Sequence, residues 1–457
     1  MLAALALATA HPVHAEPRIS VTPTDGVFDE PFDVRLEGAP PNERISIRVI
    51  RTDADQTDWT TTGVFRSDGA GRVEAAAMPS LGGNYRGISP HGLLCSALPE
   101  GTSEFDAYIE QLKANPRLPR FFPAPLEATA IRIEATVDNE VIATATASRA
   151  YAVGVSGEEI ATPEGVRGVY FAPAEGVPSR TPVMILNGSG GGIRRSDAAR
   201  LASHGHPALA LAIYNYGDLP KTLEAYPIER IADGARWLAS RTGQEEVAAI
   251  GVSRGSEAVA HAAIAFPELF SGVVLSVPSH LADAGALAPD AELGDGAWTI
   301  GGQAFPVTDL GFWTDDPRIA EQAQTLPGYN ATGLVLGEWG SDEFEDKYGI
   351  AFERIDAPVL VIAAAEDHIW PSWVSAERIM QRFERAGKGD QVEVRVYPGA
   401  GHTIVAPGFG GPLSMFAYNP SIPGFIDFGG TPNGNCDAAF ESSRAILAFL
   451  GGIDRQQ

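Results

Sequence analysis

Cysteine is nearly absent: the 457 residues hold only Cys95 and Cys436. Two cysteines cannot build a Cys-rich zinc site. If the protein is exported the two could pair, which needs Cα atoms within about 7 Å; because they fall in different predicted domains, separate cysteines are the favoured reading and pairing stays open. Positive charge is also scarce. Lys and Arg total 33 against 58 Asp and Glu, a formal net charge of -25. Such a chain repels polyphosphate, so nucleic acid is not an expected partner, and an anionic substrate would need a local basic site. No run of about 18 apolar residues occurs, so no transmembrane helix and no stable membrane insertion is expected. Internal repeats and long low-complexity tracts are missing too.

What is present begins with an apolar run, MLAALALATAHPVHA, at residues 1–15. Val13-His14-Ala15 is a small-x-small pattern, and the run resembles a secretory signal peptide without the usual Lys or Arg before it. Export to a periplasmic or extracellular space is the expectation, with a cytoplasmic location as the alternative.

From 16 to 150 the chain reads as a β-sandwich domain. Short alternating segments recur at Arg18 to Val21, Phe32 to Leu36, Arg44 to Val49, Val73 to Ala76 and Ile131 to Val137, broken by Asp-Gly, Pro-Pro and Gly-Gly. That rhythm suggests an antiparallel, immunoglobulin-like sandwich. Residues 101–125 are less regular. From 151 to 457 strands alternate with helices: strands at Val183 to Leu186, Ala208 to Ile213, Val247 to Ile250, Gly272 to Val277, Val359 to Ala363 and Val392 to Tyr397, and helices at Ile228 to Ser240, Ala376 to Arg385 and Ala438 to Leu450. Alternation of this kind makes a mostly parallel sheet with helices on both faces. Residues from about 280 to 350 have weak periodicity and read as an insertion over the cleft.

The chemistry centres on GVSRGSE, residues 251–257. A strand, then G-x-S-x-G, then a helix describes a nucleophile elbow. Gly251 and Gly255 are demanded because a Cβ at either position would collide across so tight a turn. G-x-S-x-G alone is common by chance; the acid and histidine that follow make it specific. A serine hydroxyl needs a base, and the base needs an acid to orient it. In this fold the order is Ser, acid, His. Asp367 follows the strand ending at Ala363, with Glu366 as competitor. His402 stands on the Gly-rich loop after Tyr397, with His368 as rival. His204, His206 and His261 have no strand-end setting. Ser253, Asp367 and His402 are the expected catalytic residues.

The oxyanion hole needs two backbone N–H groups. One is expected from Arg254, the other from the loop NGSGGG after Leu186, through Gly190, Gly191 and Gly192. The loop lacks the Lys-Ser/Thr ending of a phosphate-binding P-loop. Arg194 and Arg195 beyond it read as solvated charges, or as partners of an anionic substrate group. No metal or organic cofactor is implied.

With these residues in place, the chain resembles the acyl-CoA thioesterase and bile acid-CoA:amino acid N-acyltransferase family. The likeness rests on VTPTDGVFDEPFDVRLEGAPP (21–41), PSLGGNYRGISPHGLL (79–94), NGSGGG, LAIYNYGDLPKTLE (211–224), GVSRGSE, AEDHIWPS (365–372) and YPGAGHT (397–403). YNYGDLPK is far more distinctive than G-x-S-x-G. The resemblance implies an α/β hydrolase behind an N-terminal sandwich, and hydrolysis of a fatty acyl-CoA thioester. It places the nucleophile, acid and histidine on Ser253, Asp367 and His402. The family's acyltransferase branch carries cysteine at the nucleophile; serine here favours transfer to water. The partner is then a small-molecule acyl thioester or ester. The alternatives are an exported carboxylesterase on the same scaffold and a catalytically silent hydrolase-fold binding protein.

Overall fold

In a computed structural model of the chain, residues 16–52, 58–99, 126, 128–282, 296–308, 317–325, 328–404, 415–419 and 424–455 are described. The leader-like residues 1–15, the irregular segment 101–125 and parts of the 280–350 region lie outside them.

The N-terminal unit has two sheets around one core. Strands β1 (Arg18–Thr22), β3 (Asp33–Glu37) and β6 (Val73–Glu74) form one. The other runs in the order β2 (Asp25–Val27), β9 (Glu140–Ala150), β8 (Thr129–Val137), β4 (Arg44–Thr52), β5 (Asp58–Arg66) and β7 (Leu98–Pro99). Along β5 burial alternates residue by residue, as a strand with one covered face requires. Ile19, Val34 and Leu36 from the first sheet and Ile47, Val49 and Ile133 from the second meet in a single apolar cluster. Strands β5 and β9 are additions to the segments read from sequence.

The larger sheet has eight strands, in the order β10 (Gly157–Ala161), β11 (Arg167–Phe171), β13 (Ala208–Leu211), β12 (Val183–Leu186), β15 (Val247–Val252), β16 (Phe270–Ser276), β19 (Val359–Ala364) and β20 (Val392–Tyr397). Only β11 runs against the rest, pairing antiparallel with both β10 and β13. Strands β12 and β19 are buried at every residue, the mark of strands covered on both faces. Helices α2 (Arg195–Ser203), α3 (Glu229–Thr242), α4 (Arg254–Ala265), α8 (Ser372–Arg385) and α9 (Pro432–Asp454) accompany it. Within the 280–350 region lie the short strands β17 (Trp298–Ile300), paired with β14 (Tyr226–Pro227), and β18 (Gln303–Ala304), and helices α5 (Pro317–Gln322), α6 (Thr332–Trp339) and α7 (Asp342–Tyr348). Trp339, Tyr329 and Trp370 share an apolar cluster there. Among the described residues no helix is long and apolar enough to cross a membrane.

The pairing of the cysteines, left open with separation favoured, is corrected to a bond. Cys95, at the end of the short helix α1 (Gly92–Cys95), is bonded to Cys436 in the first turns of α9, with Cα atoms 5.7 Å apart. Belonging to different units does not separate them, because α1 packs directly against α9. Phe440 of α9 is fully buried in the N-terminal core, a burial worth about 1.5–3 kcal/mol.

A second tie is ionic. Asp29, between β2 and β3, accepts hydrogen bonds from Arg200 Nη1 at 3.1 Å and faces His204 Nε2 at 2.8 Å, both on or just after α2. Burial works to raise this carboxyl, but the His204 hydrogen bond and the Arg200 charge outweigh it and lower the pKa from 3.8 to about 2. A depressed carboxylate stabilises the fold above its unfolded pKa, and that contribution, on the order of 2 kcal/mol, is lost as pH falls through the folded value. Asp29→Asn is therefore expected to lower the calorimetric unfolding midpoint at neutral pH. The difference from wild type should shrink as pH drops from about 4 toward 2. A constant difference across that range would contradict the assignment.

Candidate active site

Ser253 stands at the turn from β15 into α4 with φ 55° and ψ −124°. A non-glycine residue at positive φ is strained, and the packing around it must enforce the conformation. The flanking glycines show how. A Cβ on Gly251 would lie 2.2 Å from Gly255 O, and one on Gly255 would lie 2.7 Å from Asn187 O. The elbow is thus pressed against both its own helix and the loop after β12. Helix α4 begins at Arg254, so its backbone N–H precedes the helix's own hydrogen-bond ladder.

The sheet brings the three expected side chains together. His402 Nε2 lies 3.0 Å from Ser253 Oγ, and His402 Nδ1 lies 2.9 Å from Asp367 Oδ2 and 3.0 Å from Oδ1. A carboxylate can only accept, so Nδ1 carries the proton and Nε2 is left to accept from the serine hydroxyl. Asp367 is wholly buried. Its Oδ1 also accepts from the backbone N–H of Ile369 at 3.0 Å and Trp370 at 3.3 Å, which fixes the carboxylate's direction. The Trp370 ring stands edge-on to the His402 imidazole at 5.1 Å. This arrangement can take a proton from Ser253 and stabilise the resulting imidazolium.

The rivals are elsewhere. Glu366 is exposed. His368 Nδ1 faces Asp427 Oδ2 at 2.7 Å, and that hydrogen bond pushes its pKa up. His204 is held by Asp29, His206 Nδ1 faces Thr181 O at 2.9 Å, and His261 stacks on Phe305. Arg194 pairs with Asp197 at 2.7 Å and Arg195 with Glu159 at 3.0 Å, so both meet carboxylates of this chain.

The loop after β12 lies where expected, but its donors are narrowed. Gly191 N–H donates to Gly188 O at 3.0 Å and Gly192 N–H to Tyr214 O at 2.9 Å, so both are committed within the fold. Gly190 keeps its candidacy. Gly188 is the residue against the serine: a Cβ there would lie 2.8 Å from Ser253 Cβ. The distinctive YNYG run turns out to pin this loop. The Tyr214 hydroxyl donates to Ser189 O and Asn215 Nδ2 to Gly190 O at 3.4 Å, while Asn187 Nδ2 holds Gly191 O at 2.6 Å. Burial pushes the Tyr214 phenol up to about 12, so it remains a donor.

Sequence reasoning missed the strap Asp427 to Gly430. Phe428 O accepts the His402 N–H at 2.7 Å, and Gly429 bridges to Asp367. Thr332 Oγ1 donates to Asp367 O at 2.8 Å. Backbone contacts of this kind leave no periodic signal.

The mostly parallel eight-stranded sheet, its flanking helices and the tight strand-to-helix turn at Ser253 define an α/β-hydrolase fold. Residues 29–162 match the acyl-CoA thioester hydrolase/BAAT N-terminal region, and residues 228–452 the BAAT/acyl-CoA thioester hydrolase C-terminal region. The chain belongs to this acyl-CoA thioester hydrolase and bile acid-CoA:amino acid N-acyltransferase family, and is an enzyme of its thioester-hydrolase type. Acyl-coenzyme A thioesterase 1 of Rattus norvegicus is 27% identical over 440 residues, covering 93% of this chain and 94% of its own. Acyl-coenzyme A amino acid N-acyltransferase 1 of Mus musculus is 26% identical over 445 residues, covering 95% and 97%. A solved monoacylglycerol lipase from Paleococcus ferrophilus overlaps 63% of this chain and 99% of its own, at 20% identity and TM-score 0.37.

Proposed function

We propose that this enzyme hydrolyses acyl-CoA thioesters to the free acid and CoA through an acyl-enzyme on Ser253. The observation that carries this reading is the continuous chain from Ser253 Oγ through His402 to Asp367, with links of 3.0 and 2.9 Å. Ser253 attacks the thioester carbonyl as His402 Nε2 takes its proton. The oxyanion is held by the Arg254 N–H and by the loop of Gly188 to Gly190. His402 then gives its proton to the departing thiolate. Water, deprotonated by the same imidazole, releases the acid and restores the serine. Asp367 holds the tautomer and balances the imidazolium charge. Each oxyanion donor contributes about 3 kcal/mol at the transition state.

In this reading residues 16–150 form an immunoglobulin-like sandwich, 151–457 the hydrolase domain, and the 280–350 insertion the wall of the acyl pocket. The chain is exported, with residues 1–15 as leader. The paired cysteines support export, because such bonds persist in oxidising compartments. An exported carboxylesterase on the same scaffold is the second reading, favoured by that same compartment and by the carboxylate partners of Arg194 and Arg195.

The test is a graded series of acyl-CoAs beside simple aryl esters, following free thiol and free phenol. Thiol release that rises with chain length, and exceeds ester turnover, is the expected result. Cleavage of esters alone would retain the nucleophile and remove acyl-CoA as substrate.

A further inference from the structure

The first turns of α9 touch both the active-site loops and the N-terminal unit. On one side, Asn435 is completely buried. Its Oδ1 accepts the Gly401 N–H at 2.7 Å, and its Nδ2 donates to Gly429 O at 3.3 Å. Gly401 immediately precedes His402. Gly429 bridges to Asp367 and follows Phe428, whose carbonyl holds the His402 N–H. One amide side chain therefore joins the loop that carries the histidine to the strap that aligns the acid.

On the other side, the same turns are gripped by Arg86 to Cys95. Asn433 Nδ2 donates to Arg86 O at 2.7 Å, and Ser89 Oγ donates to Asp437 Oδ1 at 3.0 Å. The His91 ring stacks on Phe440 at 3.7 Å, and Cys95 is bonded to Cys436, the neighbour of Asn435. Four contacts within eight residues of α9 thus come from the N-terminal unit. A buried side chain that hydrogen-bonds two loops sets their spacing only if its own backbone is fixed, and these contacts fix it.

We propose that Asn435 is a positioning residue for His402, and that the Cys95–Cys436 bridge sets Asn435 by locking the start of α9 to the N-terminal unit. Turnover is then coupled to the redox state of a bond remote from the reacting atoms. This rests on His402 acting as the base for Ser253. Reduction is by a dithiol such as dithiothreitol. The S–S bond gains two electrons and two protons to give two thiols, and the dithiol closes to its own cyclic disulfide.

The experiment uses the full chain as wild type, Asn435→Ala, Asn435→Asp and the double variant Cys95→Ser/Cys436→Ser, with near-ultraviolet circular dichroism to confirm folding. Two readouts are taken: kcat and KM on an aryl ester, and the downfield proton resonance of His402 Nδ1–H, identified by its loss in His402→Gln. In Asn435→Ala, kcat is expected to fall by about 10- to 100-fold, as displacement of a catalytic group by a fraction of an ångström does. KM should stay within about twofold, since binding groups are untouched, and the resonance should broaden or shift. Asn435→Asp keeps the acceptor for Gly401, but its second oxygen repels Gly429 O when ionised and donates to it only when protonated, so its kcat should fall below wild type and recover in part as pH is lowered. It carries the test should the alanine variant not fold. Reduction of the wild type is expected to lower kcat several-fold and reoxidation to restore it, while the double variant stays low in either state. A folded Asn435→Ala enzyme with wild-type kcat and resonance overturns the positioning role. Reduction without effect overturns the coupling. If Ser253→Ala retained turnover, the reading of the reaction would fall, yet the resonance would still judge Asn435.

Discussion

Ser253→Ala is expected to lower kcat on every accepted ester or thioester by about 10⁴- to 10⁶-fold. The serine is the only nucleophile in hydrogen-bond contact with His402 Nε2, at 3.0 Å, among the described residues. Without its oxygen no covalent intermediate can form, and what is left is water attack assisted by the oxyanion donors and binding alone. The elbow itself should survive. Alanine has the same backbone demands as serine at φ 55°, and the collision distances of Gly251 and Gly255 do not involve the hydroxyl. Unfolding midpoints should therefore match wild type while turnover disappears. The check is single-turnover thiol release together with fluorophosphonate labelling. A labelled, active alanine variant would move the nucleophile to another residue.

Asp367→Asn should cost about 10⁴-fold in kcat with the fold intact. The carboxylate is wholly buried and faces Nδ1 with both oxygens, while Ile369 and Trp370 supply N–H groups to Oδ1. Those two donors keep the amide oxygen of an introduced asparagine, which leaves its NH₂ toward the imidazole. Nδ1 must then accept, the proton moves to Nε2, and the histidine can no longer take the serine proton. Glu366→Gln, one residue away and exposed, is expected to leave kcat near wild type. A pH–rate profile for both variants separates the outcomes. If the glutamine variant suffered the larger loss, the acid would have to be reassigned.

Much of this arrangement was legible before any coordinates. The apolar strand before Gly251, the acid after Ala363 and the histidine after Tyr397 are local patterns. A parallel strand buried on both faces must be continuously apolar, and catalytic groups collect where such strands end. The rest was illegible for equally physical reasons. Gly190, Gly191 and Gly192 look alike in sequence; only the fold decides that the last two spend their N–H groups on Gly188 O and Tyr214 O. Strand β9 was hidden because its burial hardly alternates along the chain. The strap Asp427 to Gly430 makes its contacts through backbone groups that every residue possesses.

The strands of the large sheet, the tight turn with its two close-packed glycines, and the placing of Asp367 and His402 just past strand ends could all be read from the chain alone. These depend on local sterics and on periodic burial, which residues near in sequence write together. Tertiary structure alone decided that Cys95 meets Cys436 across 341 positions, that His368 answers to Asp427 rather than to the serine, and that Asn435 joins the histidine loop to the acid's strap. Each is a contact between residues distant along the chain, made where two packed surfaces close. No composition or spacing encodes such a meeting, because what fixes it is the packing of whole elements against one another.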